Sequence, residues 1–235
     1  GHYNTASGYL ALRCNTTGGC NTATGMYTFL ENTTGNNNTA SGYMAMRLNT
    51  TASHNTAYGV CSLYANTTGQ ENTAYGGESL RQNTTAHYNT AVGREALRDN
   101  TTGHSNAGHG YKAMQTNTTG CLNTASGFRA LYSNTTADYN TAVGGCALFA
   151  NTTACRNTAV GYHALKANTT GSSNTASGYR AMCNNTTGNG NVAIGDQAGH
   201  GRTTGSDSIA IGPAAGLGTS GGSNVAIGWR AQYIV

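Results

Sequence analysis

The sequence predicts an all-β protein, a parallel β-solenoid (β-roll) of about fourteen 17-residue coils. Three observations predict it. An asparagine returns every seventeen residues at Asn4, Asn21, Asn38, Asn55 and onward to Asn191, and the register continues at Ser208 and, one residue early, at Asn224. Gly, Asn and Thr stand in each of the first twelve repeats, which opposes helix. The composition is biased but ordered: 34 Gly, one proline (Pro213) and 9% charged residues sit in a strict sequence with a net charge of only +4, whereas disorder goes with high net charge or Pro-rich polar tracts.

The repeat reads N-T-A-x-G-x-x-A-L-x-x-N-T-T-G-x-x, with places numbered 1 to 17. Place 5 is Gly in all fourteen repeats, place 3 is Ala in all but one (Gly108), and place 8 is always Ala, Ser or Thr. Places 3 and 5 share one face of a strand, because side chains alternate with period two. A face of Ala and Gly lets two backbones approach closely, so each coil is expected to be thin. Place 9 is Leu, Met or Phe from Leu12 to Met182, the one large apolar position kept through the first eleven repeats.

Place 12 is Asn15, Asn32, Asn49, Asn66, Asn83, Asn100, Asn117, Asn134, Asn151, Asn168 and Asn185, each followed by Thr-Thr and then Gly or Ala. Asn bonds its own backbone in turns and tolerates left-handed conformations. Stacked in successive coils, these residues are expected to form a hydrogen-bonded ladder. Places 1 and 12 then become corners, with two short strands expected between them in each coil. An Ala-Gly interior returns roughly 25 cal/mol per Å² of buried apolar area against a backbone entropy of about 1–2 kcal/mol per residue. A lone stack is marginal on those terms. Ladder bonding and burial of one face against other chains are the two remedies, and the second predicts an oligomer.

The last three repeats change character at places 2 and 4, which become Val192/Ile194, Ile209/Ile211 and Val225/Ile227. The motif N/S-V/I-A-I-G at residues 191–195, 208–212 and 224–228 resembles the head repeat of trimeric autotransporter adhesins, the YadA-like left-handed parallel β-roll. That resemblance implies three chains packed side by side. It divides the chain into N-T-A-x-G/N-T-T-G repeats over 1–190 and YadA-like repeats over 191–235 that continue the same solenoid. The first group also resembles Asn-Thr-rich repeats of phage and large-virus fibre proteins. Its 17-residue period, extra Asn-Thr-Thr corner and Thr at place 2 depart from the adhesin pattern and leave its trimer contact surface open. At ~4.8 Å per coil the stack is expected to be roughly 65 Å long.

Ten Arg and two Lys fall at many places of the repeat, where a nucleic-acid binder would gather them into a stripe, so no nucleic-acid partner is expected. No run approaches the ~20 apolar residues that span a membrane, so no insertion is expected. Gly1-His2-Tyr3 fit places 15 to 17 of a preceding repeat, as Ala86-His87-Tyr88 do before Asn89, so the chain reads as part of a longer array.

Places 6, 7, 10, 16 and 17 accept nearly any residue type; place 7 alone runs from Leu10 and Tyr27 through Glu95 and Lys112 to Cys146 and His163. Such variety on a fixed scaffold marks solvent-facing positions, either drifting or serving as a recognition surface. Place 6 carries Tyr111, Phe128, Tyr162 and Tyr179, the candidate ligand-binding residues for a cell-surface glycan or receptor. Stacked aromatics also stabilise strands by ~0.5–1.5 kcal/mol a pair without any ligand.

Seven cysteines occupy unregistered places, which fits thiols better than a disulfide framework; Cys14 and Cys20 flank one corner and are the one candidate pair. His87 and His104 share place 16 with His54 nearby at place 17, and are read as exposed and unliganded, so no metal is expected. The N-T-T triplets match the N-glycosylation acceptor pattern, but a corner ladder explains all of them with one cause. No catalytic or phosphate-loop pattern is present, so neither an enzyme nor a cofactor is expected. The expected role is a structural, receptor-binding segment of an extracellular or virion fibre, self-associating as a homotrimer. The alternatives are a bacterial surface adhesin head, a self-assembling extracellular filament, and an ice-binding solenoid suggested by the Thr5-Thr22-Thr39 row.

Overall fold

The computed structural model describes residues 1–216 and 221–232; residues 217–220 and 233–235, within the YadA-like repeats, lie outside the described residues. The chain is an all-β parallel solenoid with one three-residue strand per coil. It forms two compact units, residues 1–120 and 121–235. The first holds β1 (Thr5–Ser7), β2 (Thr22–Thr24), β3 (Thr39–Ser41), β4 (Thr56–Tyr58), β5 (Thr73–Tyr75), β6 (Thr90–Val92) and β7 (Ala107–His109). The second holds β8 (Thr124–Ser126), β9 (Thr141–Val143), β10 (Thr158–Val160), β11 (Thr175–Ser177), β12 (Val192–Ile194), β13 (Ile209–Ile211) and β14 (Val225–Ile227). Within each unit every strand pairs in parallel with the next in chain order, place on place: Thr5 with Thr22, Ala6 with Ala23, Ser7 with Thr24.

The expectation of two strands per coil is corrected. Only places 2 to 4 are extended. Places 6 to 11 form a run of turns, because places 7 and 9 take left-handed backbone at non-glycine residues, such as Leu10 (φ 57°) and Leu12 (φ 52°). Alternating handedness cannot make a pleated ladder. Place 17 is left-handed as well, from Tyr3 to Asp207. Each such residue costs roughly 1–2 kcal/mol in a left-handed well. The compensation is bonding along the stack: Leu12 N–H donates to Thr28 O at 3.1 Å, Cys14 N–H to Leu30 O at 3.1 Å, and Tyr27 N–H to Tyr9 O at 2.9 Å.

The core is a file of small residues and one large one. From Ala23 to Ala226 the Ala at place 3 is buried, as is the Leu, Met or Phe of place 9 from Phe29 to Met182. The thin coil follows from this, but place 5 has a different cause from the one expected. A Cβ on Gly8 would lie 2.5 Å from the carbonyl oxygen of Gly25 in the next coil, so these glycines are set by packing along the stack rather than across it.

Two asparagine ladders close the corner. At place 12, Asn32 Nδ2 donates to Asn15 Oδ1 at 2.8 Å, Asn49 to Asn32 at 2.7 Å and Asn66 to Asn49 at 3.1 Å. In the second unit Asn151 reaches Asn134 at 3.0 Å, and Asn168 and Asn185 continue the file. At place 1, each Oδ1 accepts the backbone N–H of the asparagine one coil on, as Asn21 Oδ1 does from Asn38 at 3.0 Å. Both files send Nδ2 to the same carbonyl at place 15: Gly69 O receives Asn55 at 2.9 Å and Asn66 at 2.9 Å. From Asn32 to Asn185 the place-12 side chains are fully buried, so a glycan on their Nδ2 would have to break the ladder.

The ladder ends at Arg202, which takes place 12 after Asn185 and leaves Asn185 Oδ1 without a hydrogen-bond partner. Arg202 is buried, and its side chain enters the volume left where place 9 becomes Gly199 and Gly216; a Cβ on Gly216 would sit 3.7 Å from Nε. Burial pushes the guanidinium pKa down.

The irregular stretch Asn106-Ala107-Gly108-His109-Gly110 keeps the strand, with Gly108 opposite Ala91. A Cβ on Gly108 would meet Leu97 at 3.4 Å, an ordinary contact. Gly108→Ala should therefore stabilise the protein by about 0.5–1 kcal/mol, through reduced freedom of the unfolded chain. Chemical denaturation checks it, and a lowered midpoint would show that this coil lacks room for the methyl group.

Candidate functional site

The repeat sorts its residues by direction. Strand places 2 and 4 point outward around a buried place 3, and place 6 follows beside them, so these three places form one exposed face. Among the candidate ligand residues, Tyr162 and Tyr179 come together on neighbouring coils, with ring centroids 5.8 Å apart and planes 12° apart. Tyr162 also stacks on His163 at 3.8 Å. Tyr111 and Phe128 belong to different units, and each sits beside a cation: Lys112 Nζ is 5.3 Å from the Tyr111 ring and Arg129 Cζ 5.2 Å from Phe128. All four rings are exposed. Sequence reasoning missed the first-unit file of Tyr9, Tyr27 and Tyr43, whose rings meet edge to face at 5.7 and 6.3 Å. The signal was their alternation between places 6 and 7, which lie side by side in the stack.

The run of turns carries the charge. Backbone bonds such as Lys166 N–H to His163 O (3.3 Å) join place 10 to place 7 within one coil, bringing those two side chains to one side. Ten of the twelve Lys and Arg lie at places 6, 7 and 10, against five of the eight carboxylates at places 6, 7 and 11. Within each unit the basic residues therefore gather along the turns, at neighbouring places that the sequence reading treated as separate. In the first unit Arg81, Arg94, Arg98 and Lys112 are ion-paired. Glu95, almost buried, receives Arg94, Arg98 and Lys112 at 3.3, 3.2 and 3.3 Å, and Gln115 Nε2 donates to it at 2.8 Å. Tyr64 lies between Arg47 and Arg81, whose guanidinium carbons are 5.9 and 6.0 Å from its ring.

Place 16 is not a drifting position, a second correction. Its side chain accepts the backbone N–H of place 16 one coil earlier: Asn36 Oδ1 from Gly19 at 2.7 Å, Ser53 Oγ from Asn36 at 3.0 Å and His87 Nδ1 from Gln70 at 3.0 Å. The second unit repeats it with Ser172 Oγ accepting from Cys155 at 3.2 Å and Asn189 Oδ1 from Ser172 at 2.8 Å. The readable signal was the absence of any aliphatic residue at place 16. His87 is thereby a ladder member, and His54 lines a shallow hollow with His2, Asn36 and Ser53. No disulfide joins Cys14 to Cys20, both of which are exposed. Among the described residues no group of three or more His, Cys, Asp or Glu is placed to hold a metal ion.

Comparison with protein-family models, curated proteins and solved structures finds no match to this chain. What the arrangement can do therefore rests on its own surfaces. Exposed aromatics along a strand face and cations along the adjoining turns suit the binding of an extended ligand or another chain, and no helix among the described residues is long and apolar enough to cross a membrane.

Proposed function

We propose that this chain is a structural, receptor-presenting segment of an extracellular or virion fibre, assembled with copies of itself as a homotrimer. The observation that supports it is the division of labour within each coil. The invariant Asn, Ala, Gly and place-9 residues serve the interior and the bonds between coils, while most residues at places 6, 7 and 10 face outward from that backbone scaffold. A thin interior of Ala with one larger side chain per coil gains from a partner chain, and the exposed Ile194, Ile227 and Trp229 offer it an apolar contact. The V/I-A-I-G repeats at 191–195, 208–212 and 224–228 favour a bacterial adhesin head as the second reading.

Light scattering should return about three times the chain mass of 24.0 kDa; a clean monomer sinks the trimer. A glycan array on the wild type and on Tyr162→Ala/Tyr179→Ala should show loss of signal in the variant. Absent or equal binding leaves a spacer role in place of receptor contact.

A further inference from the structure

The second unit carries a group of basic side chains that make no ion pair among the described residues, although Asp196 stands at place 6 of the coil after Arg180 and hydrogen bonding to Cys183 and Tyr179 raises the Arg180 pKa. His163 (place 7) and Lys166 (place 10) stand on one coil, Arg180 at place 7 of the next, and His200 at place 10 of the coil after that. Backbone bonds hold them in register: Arg180 N–H to Tyr162 O at 2.8 Å, Ala167 N–H to Cys183 O at 3.0 Å and Met182 N–H to Ala198 O at 2.9 Å. Among the described residues the ion pairs of the turns all fall between Glu78 and Lys112 in the first unit, and neither Lys166 nor Arg180 has a carboxylate within ion-pair distance. Arg180 Nε and His200 Nε2 are buried without a hydrogen-bond partner, so two donors or acceptors in the group are unanswered. The local field registers on the histidines. Burial and then the charges of Lys166 and Arg180 push the His163 pKa down, and burial followed by Arg180 does the same to His200. Beside this group stand the Tyr162 and Tyr179 rings.

We propose that His163, Lys166, Arg180 and His200 form the seat of an oxyanion carried on a saccharide, with Tyr162 and Tyr179 flanking the sugar. This names the ligand class for the receptor-presenting surface and rests on that reading. The ligand is a carboxylated or sulfated glycan rather than a nucleic acid for a reason of charge density. Duplex DNA presents a charge about every 1.7 Å and its binders answer it with many phosphate contacts. Here only two permanent cations stand on adjacent coils, Lys166 at place 10 and Arg180 at place 7, enough for one or two oxyanions on a ligand that is otherwise neutral. Lys166 supplies a mobile point charge and Arg180 a planar fork.

The test uses the full chain and measures binding of polygalacturonate, dextran sulfate, neutral dextran and a single-stranded oligonucleotide at fixed salt. Lys166→Gln/Arg180→Gln should weaken binding of one or both acidic polymers about tenfold or more, with the charge-conserving Lys166→Arg/Arg180→Lys retaining most of it. Polymer binding should also move the His163 and His200 titrations upward in the wild type by NMR. Lys166 is exposed and Arg180 half-buried, and unchanged thermal melts of both variants establish that the fold is intact. Equal affinity of the Gln variant, no binding of either acidic polymer, or tighter binding of the oligonucleotide than of both overturns the proposal. Binding of neutral dextran to both proteins alike also overturns it, while leaving receptor presentation standing.

Discussion

Gly144→Val is expected to abolish the cooperative unfolding transition of the second unit. Gly144 has φ +127°, a backbone region essentially reserved for glycine, and forcing another residue there costs about 1–3 kcal/mol. A Cβ at this position would lie 2.6 Å from both the carbonyl carbon and the carbonyl oxygen of Gly161, and 3.1 Å from the Tyr162 nitrogen. All three are backbone atoms bound into the next coil and cannot rotate away. Ordinary overpacking costs about 1–3 kcal/mol, and a β-branched residue against fixed backbone falls at or above the top of that range. Both terms together are a large part of a typical stability of about 5–15 kcal/mol. The neighbouring Gly145 supplies the control. Its Cβ would meet only the Tyr162 ring at 3.2 Å, which can swing, so Gly145→Ala should melt close to the wild type. Unchanged melting of Gly144→Val would refute the close approach of glycines along the stack.

The architecture was legible because a solenoid writes its geometry into a period. Fourteen glycines at place 5 and the file of asparagines identified the coil and its corner before any coordinates. The second strand was a false expectation because spacing alone cannot distinguish a pleated segment from a run of turns. A finer signal was present. Places 7, 9 and 17 never carry Val, Ile or Thr, although Thr and Val abound elsewhere in the chain, and β-branched residues are the ones that left-handed backbone excludes most strongly. The glycines at Gly190, Gly199 and Gly216 fall at those same places, with φ near +64°. The place-16 ladder was hidden for a related reason: Asn, Ser, His, Asp and Cys look dissimilar as residue types and share only an acceptor one or two bonds beyond Cβ.

The surface was less legible than the core. Counting cations by place scattered them, because places 7 and 10 are three apart and meet only through the turn between them. The pairing of Glu95 with Arg94, Arg98 and Lys112 joins two coils and could not be read from either alone. The same turns that pair Arg81, Arg94, Arg98 and Lys112 in the first unit leave Lys166 and Arg180 in the second without a carboxylate at ion-pair distance, so the two units differ in surface chemistry.

Asn66→Asp is expected to destabilise the first unit nearly as severely, and in a pH-dependent way. Asn66 is fully buried; its Nδ2 donates to Asn49 Oδ1 at 3.1 Å and to Gly69 O at 2.9 Å, and its Oδ1 accepts from Asn83 Nδ2 at 2.9 Å. Aspartate has the same shape but no donor when ionised, so it sets a carboxylate oxygen against two acceptors and keeps only the bond from Asn83. A buried charge left in this way costs about 3–5 kcal/mol. Burial and facing acceptors raise the folded-state pKa of the new carboxyl above its unfolded value of about 3.9. Below the unfolded value both states are protonated and the acid can donate one hydrogen bond, so the penalty shrinks to the loss of the second, about 1 kcal/mol. As pH rises above it the unfolded state releases its proton first, so stability falls until the folded pKa is passed, and then stays low. Urea midpoints of the variant and the wild type should therefore differ modestly near pH 3.5 and separate widely at pH 7. Asn184→Asp, at an exposed position one residue before the ladder, should show no such divergence. Coincident midpoints at pH 7 would mean that the place-12 amides do not hold the corner, and the asparagine period would then need another cause.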